Sequence, residues 1–349
     1  MIMQLKKNWI LGLGLCLSLS PAAQQRAHYT QYILNNFILN PALSGIENYT
    51  DVKISARDQW VGINGAPRTF YLTVHGPIGK KDYKTSATSF NIPGENPRGK
   101  AYWENYTASE PHHGLGFTVV NDKTGNFNRL TSYVSYAYHL GLSPRTNLAA
   151  GFSAGVSMVG LNTDGKAFFG TISPTDPAFG NINGQINKLK PDIGVGLWLY
   201  SSDYFVGLAG QQIIPQQLQF VDDATFQQKG RLVPHVFLTA GYRLMVSEEV
   251  NAIPSVMVKY INGAFEHNYQ GEANLKLQYR DLLWVGGSYR QFDGYAGMLG
   301  LNVANTFNIG YAYDFTKTDL RTYSRGTHEL IIGFLIGNRY GDTCPRNVW

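Results

Sequence analysis

From residue 50 onward, apolar and polar residues alternate singly along this chain, in one segment after another. Between Leu148 and Met158, for example, Leu148, Ala150, Phe152, Ala154, Val156 and Met158 fall on one side, and Ala149, Gly151, Ser153, Gly155 and Ser157 on the other. Successive side chains of a strand point to opposite faces, so a period of two predicts strands; a helix would need apolar residues every three or four positions. The split recurs at Ile193, Val195, Leu197 and Leu199, at Val236, Leu238, Ala240, Tyr242 and Leu244, and at Tyr295, Gly297, Leu299, Leu301 and Val303. It returns at Phe307, Ile309, Tyr311, Tyr313 and Phe315, and last at Leu330, Ile332, Phe334 and Ile336. Strands are predicted over 50–60, 68–75, 112–120, 126–140, 145–160, 190–200, 203–214, 231–246, 249–261, 267–279, 281–290, 294–304, 306–316 and 326–336, about fourteen in all, with twelve as the alternative count.

A strand of ~10 residues rising ~3.3 Å each and tilted by ~40° covers about 25 Å, the height of the apolar band of an outer-membrane barrel. In hydrocarbon an unpaired N–H or C=O costs several kcal/mol, so a sheet there has to close on itself. The predicted fold is all-β, a transmembrane antiparallel β-barrel over 50–336, with an even strand number because both ends of such a chain lie in the periplasm. Charges identify the lumen face, since Lys or Arg facing lipid near the midplane costs ~2–4 kcal/mol. Lys53, Ser55, Arg57 and Gln59 oppose Val52, Ile54 and Ala56, while Glu272, Asn274, Lys276 and Gln278 oppose Ala273, Leu275, Leu277 and Tyr279. Arg243, Lys259 and Arg290 also lie opposite their apolar rows. A polar lumen follows, in which Glu272, Asp314 and Glu329 partly neutralise the basic groups, as a structural salt-bridge lattice in preference to an ion-selective pore.

Connections alternate in length. Those at Gly141 to Pro144, Ser201 to Ser202, Ser247 to Glu248 and Arg280 are short, as periplasmic turns are, and those near 161–189, 215–230 and 317–325 are longer, as surface loops are. The stretch 79–111 breaks the rule, because it would be a long periplasmic insertion. After the last strand, 337–349 contains Pro345 and loses alternation, which predicts a periplasmic tail.

The front of the chain adds the compartment. Lys6 and Lys7 precede an apolar run from Trp9 to Ser20 that is too short to span a bilayer, with small residues at Ser20, Ala22 and Ala23; 1–23 reads as a cleaved secretory signal peptide. Cys16 raises a lipoprotein reading, which Leu15 argues against by standing where a small residue precedes a lipidated Cys. The segment 24–49 is a short N-terminal stretch that is a candidate to enter the lumen. Only Cys344 survives processing, so neither an intramolecular disulfide nor a Cys-based zinc site is available. Twenty-two Tyr and 38 Gly accompany only 15% charged residues, and no apolar run after the signal is long enough for a membrane helix. Soluble domains carry about 25% charged residues. The formal charge falls from +5 to +3 with the signal removed and the basic residues are scattered, which argues against nucleic acid as a partner. Trp60, Trp198, Tyr200, Tyr204, Tyr311 and Tyr313 stand near predicted strand ends and read as interface girdles.

Candidate chemistry is sparse. Gly151-Phe-Ser153-Ala-Gly155 matches a nucleophile-elbow pattern, but that device needs a strand-to-helix turn, and here it falls mid-strand as a small-residue lumen row. His112 and His113 point to opposite faces and cannot hold one metal together, and His28, His75, His139, His235, His267 and His328 show no ligand spacing. No phosphate loop or dinucleotide fingerprint occurs. The expectation is no enzyme, no cofactor and no metal site.

Several segments, taken in order, resemble the PorP/SprF family, outer-membrane proteins tied to the type IX secretion system and gliding machinery of Bacteroidetes. They are Gln31-Tyr32, Asn40-Pro41-Ala42-Leu43-Ser44-Gly45, Arg57-Asp58-Gln59-Trp60-Val61-Gly62-Ile63-Asn64-Gly65-Ala66-Pro67-Arg68-Thr69 and His75-Gly76-Pro77-Ile78. Gly114-Leu115-Gly116, Asn121-Asp122-Lys123-Thr124-Gly125, Ser135-Tyr136-Ala137-Tyr138-His139-Leu140, His328-Glu329 and Cys344-Pro345-Arg346 follow. The resemblance implies a barrel in outer-membrane lipid that associates with type IX translocon or motor subunits, or that receives a secreted surface protein such as an adhesin by its C-terminal sorting domain. The 79–111 insertion departs from the family's quick passage between these motifs and, if periplasmic, could contact the machinery there. The long surface loops are the expected partner contacts. Lys53, Arg57, Gln59 and Arg68 are expected to hold the barrel or an internal plug in shape, and Asn40, Pro41, Trp60, His75, Glu272, Lys276, His328 and Glu329 complete the family-motif and lumen candidates. A porin-like or fatty-acid-transporter-like passive channel is the alternative, suggested by Asn40-Pro41-Ala42.

Overall fold

The structure is a computed structural model that describes residues 28–80, 108–162, 185–218, 230–261, 268–280, 282–303 and 306–338. Among them, fourteen antiparallel strands follow one another round a ring. Strand β1 is Thr50–Asp58, β2 Arg68–Ile78, β3 His112–Thr124, β4 Phe127–Ser143, β5 Thr146–Asn162, β6 Gln185–Tyr200 and β7 Tyr204–Gln211. Strand β8 is His235–Tyr242, β9 Val250–Ile261, β10 Tyr269–Tyr279, β11 Leu283–Arg290, β12 Gly294–Val303, β13 Phe307–Thr316 and β14 Thr327–Ile336. Each pairs with the next, and β14 returns to β1 with Arg57 opposite Glu329 and Ile54 opposite Ile332. Closure leaves the spanning backbone paired on both sides, as hydrocarbon demands.

Alternation places the side chains as the charge argument requires. Ile54, Phe70, Phe152 and Leu299 are 50%, 55%, 52% and 56% exposed on the outside, where lipid would cover them. Arg57, Arg243, Lys259, Lys276, Glu272, Arg290, Asp314 and Glu329 are all buried inside. Two aromatic positions differ from the girdle reading: Trp198 and Tyr200 are buried in the lumen. They share the inward parity of Gly194 and Gly196, and Trp198 stacks on Phe205 with centroids 5.0 Å apart.

The predicted strand over 231–246 is interrupted. The β8 ladder stops at Tyr242 and resumes over Leu244–Met245 in unchanged register, Gly241 opposite Ser255 and then Leu244 opposite Ala252. Pro254 faces the gap and has no N–H to give a ladder. The Arg243 N–H donates instead to the Asp203 carbonyl at 2.7 Å. Outside the barrel ladder, Gln216–Leu218 pairs with Gly230–Leu232.

The connections after odd-numbered strands include 163–184 and 212–234, whereas those after β4, β6, β10 and β12 are two or three residues. Short periplasmic turns and longer external loops make the first end the outer one. The exception at the inner end is 79–111, of which residues 81–107 lie outside the described set, as do residues 1–27, which hold the expected signal peptide, and those beyond 338.

Candidate functional site: a plugged lumen and its outer mouth

The segment from His28 to Tyr49 fills the barrel. Its sequence has neither a helical nor a strand period: Tyr29, Tyr32, Ile33, Phe37, Ile38, Leu39, Ala42, Leu43 and Ile46 point in every direction, and all are buried. A segment apolar all round can be stable only when surrounded. It folds as three short 3-10 turns, Thr30–Leu34, Asn36–Ile38 and Pro41–Leu43, separated by asparagines. Asn40 caps the third by accepting the Ala42 N–H at 3.0 Å, and Pro41 supplies the fixed φ suited to a first turn.

The plug runs from the outer end to the inner one. At the outer end Arg57 gathers it: Nη1 donates to Thr30 Oγ1 at 2.7 Å and to Glu329 Oε2 at 2.8 Å, and Nη2 to Asp314 Oδ2 at 2.7 Å. Thr30 donates its N–H to Glu329 and its hydroxyl to Asp314, at 2.8 and 2.7 Å. Arg290 bridges Glu272, Asp293 and Asp314 at 3.0, 2.6 and 3.6 Å, and Glu272 lies 3.6 Å from His28. Carboxylates and guanidinium groups buried together as ion pairs form a lattice whose parts are costly to remove singly, although Arg57 Nε and Asp314 Oδ1 have no hydrogen-bond partner among the described residues. Burial, followed by the charge of Arg290, holds the His28 imidazole down to about 4, against the raising effect of Glu272.

At the inner end the backbone of Ser44 and Gly45 is clamped by three histidines from the wall. His139 donates Nε2–H to the Ser44 carbonyl at 2.8 Å, His112 Nε2 lies 3.2 Å from the Gly45 carbonyl, and the Gly45 N–H donates to His75 Nδ1 at 3.3 Å. His112 and His139 stack at 4.5 Å. Between the ends, Gln211 donates to the carbonyls of Ile38 and Leu39, and Asn40 Nδ2 to that of Leu197. Small wall residues make the room. A Cβ on Gly151 would lie 2.6 Å from the Ala42 backbone, and one on Gly196 would lie 1.9 Å from Asn40 Oδ1.

The seal is tight. Two interior cavities, one beside Phe37 and Pro41 and one beside Tyr32 and Asn36, measure about 20 and 10 Å³. By contrast an open bowl of about 620 Å³ lies at the outer mouth, with Trp60, Tyr269, Phe292 and Tyr323 among its walls and His28 at its edge. Ser153 borders the first interior cavity with Thr118, Tyr133, Ser135 and Asp192, and no histidine is in that lining. Among the described residues, no three His, Cys, Asp or Glu gather to hold a metal ion.

Of the residues singled out in the sequence, Asn40 and Pro41 are in the plug, His75 clamps it, and Arg57, Glu272 and Glu329 form the lattice. Lys53 pairs with Asp51 in the lumen, and Lys276 borders the second interior cavity. Gln59 and Trp60 line the outer bowl. Arg68 departs from the lumen reading: it stands opposite Asp58 on the outward parity of β2, its side chain 66% exposed, because Thr69 and Tyr71 take the inward positions. His328 also faces outward, its Nδ1 2.7 Å from the Tyr311 hydroxyl. Sequence reasoning missed His112 and His139 as a pair, although the inward parity shared by Gly114 and Ala137 carried that signal.

A family profile described as type IX secretion system membrane protein PorP/SprF matches residues 22–334. The chain belongs to the PorP/SprF family. It is thereby an outer-membrane barrel of the type IX secretion system, tied to the secretion machinery. No curated protein matches it in sequence. Solved structures with a similar fold include the Ralstonia pickettii toluene transporter TbuX, at 13% identity, TM-score 0.47, and coverage of 91% of this chain and 96% of that one. A Pseudomonas aeruginosa FadL homologue gives 10%, 0.45, 90% and 96%, and the Pseudomonas putida toluene transporter TodX gives 8%, 0.45, 93% and 96%. These are distant likenesses of barrel architecture and carry no activity across to the PorP/SprF chain.

Proposed function

We propose that this PorP/SprF barrel binds a secreted protein, or a translocon subunit delivering it, at its outer mouth and holds it at the cell surface, without catalysing a reaction or passing solutes. One contrast supports the reading: interior cavities of about 20 and 10 Å³ against an open bowl of about 620 Å³ at the end that bears the long loops. A wall that fixes the loop roots leaves the tips free to suit one partner. The partner expected from the family is a surface protein engaged by its C-terminal sorting domain. Affinity purification from native membranes, followed by mass spectrometry, should recover either one such protein or translocon subunits in stoichiometric amount. A barrel that always emerges alone, and that conducts ions in planar bilayers without its plug being disturbed, would favour a passive channel and overturn the proposal.

A further inference from the structure

The outward face of the barrel carries a basic cluster at the outer end, one rung above the apolar belt. Cross-strand register sets Tyr313, His328, Asp58, Arg68 and Lys123 side by side on that face. The next outward rung toward the midplane is Tyr311, Leu330, Ala56, Phe70 and Asn121. Same-face neighbours along a strand are about 6.6 Å apart, so Arg68 stands about that far toward the outer end from Phe70, the last apolar residue on the outward face of its strand, with Lys123 beside it. Tyr311 and His328 hydrogen-bond to each other across the two rungs.

The cationic groups there have donors to spare. Arg68 meets Asp58 through Nε alone, at 3.2 Å, in an exposed pair that contributes little, so both terminal nitrogens are free. Among the described residues Lys123 makes no hydrogen bond or ion pair. Arg325 is exposed, and its Cγ lies 3.9 Å from where a Cβ of Gly62 would be. Gly62, Asp58, Arg68 and Lys123 line one polar concavity of about 560 Å³, built by the β1–β2 loop and the β3–β4 turn. Two cations, Arg68 and Lys123, thus line this concavity with the Asp58 carboxylate, and Arg325 stands beside it next to Gly62.

We propose that Arg68, Lys123 and Arg325 bind the phosphate of a glycolipid in the outer leaflet, its sugar headgroup in the concavity and its acyl chains along Phe70 and Leu330. Clustered Lys and Arg at a membrane surface attract anionic headgroups, and the fork of Arg suits a phosphate. The site does not depend on the partner-binding reading, because it faces lipid and not the mouth.

The test uses the full-length barrel purified in a neutral detergent, incubated with diphosphoryl lipid A and examined by native mass spectrometry. Folding of each variant is checked by heat-modifiable gel mobility. Wild type should retain one diphosphoryl lipid A and release it in high salt, and it should not retain the dephosphorylated lipid. Arg68→Gln with Lys123→Gln should weaken retention by at least about tenfold, Arg325→Gln should weaken it less, and Lys317→Gln, away from the cluster, should leave it unchanged. Equal retention of phosphatidylglycerol, displacement by millimolar inorganic phosphate, or undiminished retention by the folded double variant would overturn the proposal.

Discussion

Replacing Arg57 with Met should loosen the plug and leave the wall intact. The change deletes three hydrogen bonds, to Thr30 Oγ1, Glu329 Oε2 and Asp314 Oδ2, at 2.7, 2.8 and 2.7 Å. It strands the Glu329 carboxylate, whose residue is only 1% exposed, and leaves that of Asp314, 6% exposed, with Arg290 at 3.6 Å as its remaining cation. Breaking a buried ion pair by removing one partner costs ~3–5 kcal/mol, because the remaining charge is left uncompensated. The wall has no cheap way to relieve that cost. Nine register pairs tie β1 to β14, and parting them would expose backbone to hydrocarbon. The outer end of the plug can move, since the bowl beside His28 is open to solvent and would admit water to the carboxylates. If half or more of the cost is expressed as release of that end, its opening constant rises by roughly 10 to 10³-fold. Hydrogen exchange of the amides at residues 29–34, read by mass spectrometry in detergent, should accelerate to that degree while those of β1 and β14 keep their protection. The triple variant Arg57→Met, Asp314→Asn, Glu329→Gln removes the stranded charges and should recover much of the protection, because apolar or neutral replacement of a whole buried cluster is nearly free. Unchanged exchange at 29–34 in the single variant, or a triple variant no better than it, would refute the reasoning.

Gly151→Val would put side-chain atoms into the Ala42 backbone, and overpacking of this kind costs ~1–3 kcal/mol; protease protection of the plug should fall while gel mobility of the barrel persists. Because the docked His28 titrates near 4 and a released one near 6.5, the released end binds protons more readily between those values; plug protection should be full above about pH 6.5 and decline towards pH 4, and His28→Gln should flatten that profile. Leu299→Arg, mid-strand on the outward face, should cost ~2–4 kcal/mol of insertion into vesicles by urea titration, whereas Leu299→Val should cost under about 1.5.

The wall and the plug were not equally legible, and the reason is physical. On a wall strand, lipid lies on one side and the polar interior on the other, so each residue's side is imposed by its polarity; Val52 to Gln59 could be sorted without coordinates, as could Ala273 to Tyr279. The plug has a single environment on all sides, and nothing forces a period on Tyr29 to Ile46. Its presence was written instead in the wall. Gly151, Ser153 and Gly155 keep a row small, which suggested limited interior bulk, and the limiting bulk at Gly151 is Ala42 of the same chain. The motifs that carry the family resemblance converge in the same way: Asn40 to Gly45 belong to the plug, and His75, Gly114, Ser135 and His139, from three strands of the wall, each touch it. Reading them singly hid this, because the contacts that unite them join residues up to 95 positions apart. Arg68 shows the reverse error. Its charge suggested the lumen, but one step of strand parity outweighs charge at the rim, where headgroups and water accept a cation as readily as the interior does. The same positional logic makes the motif residues at the inner end a requirement of the shut lumen and leaves the outer loops to vary with the partner.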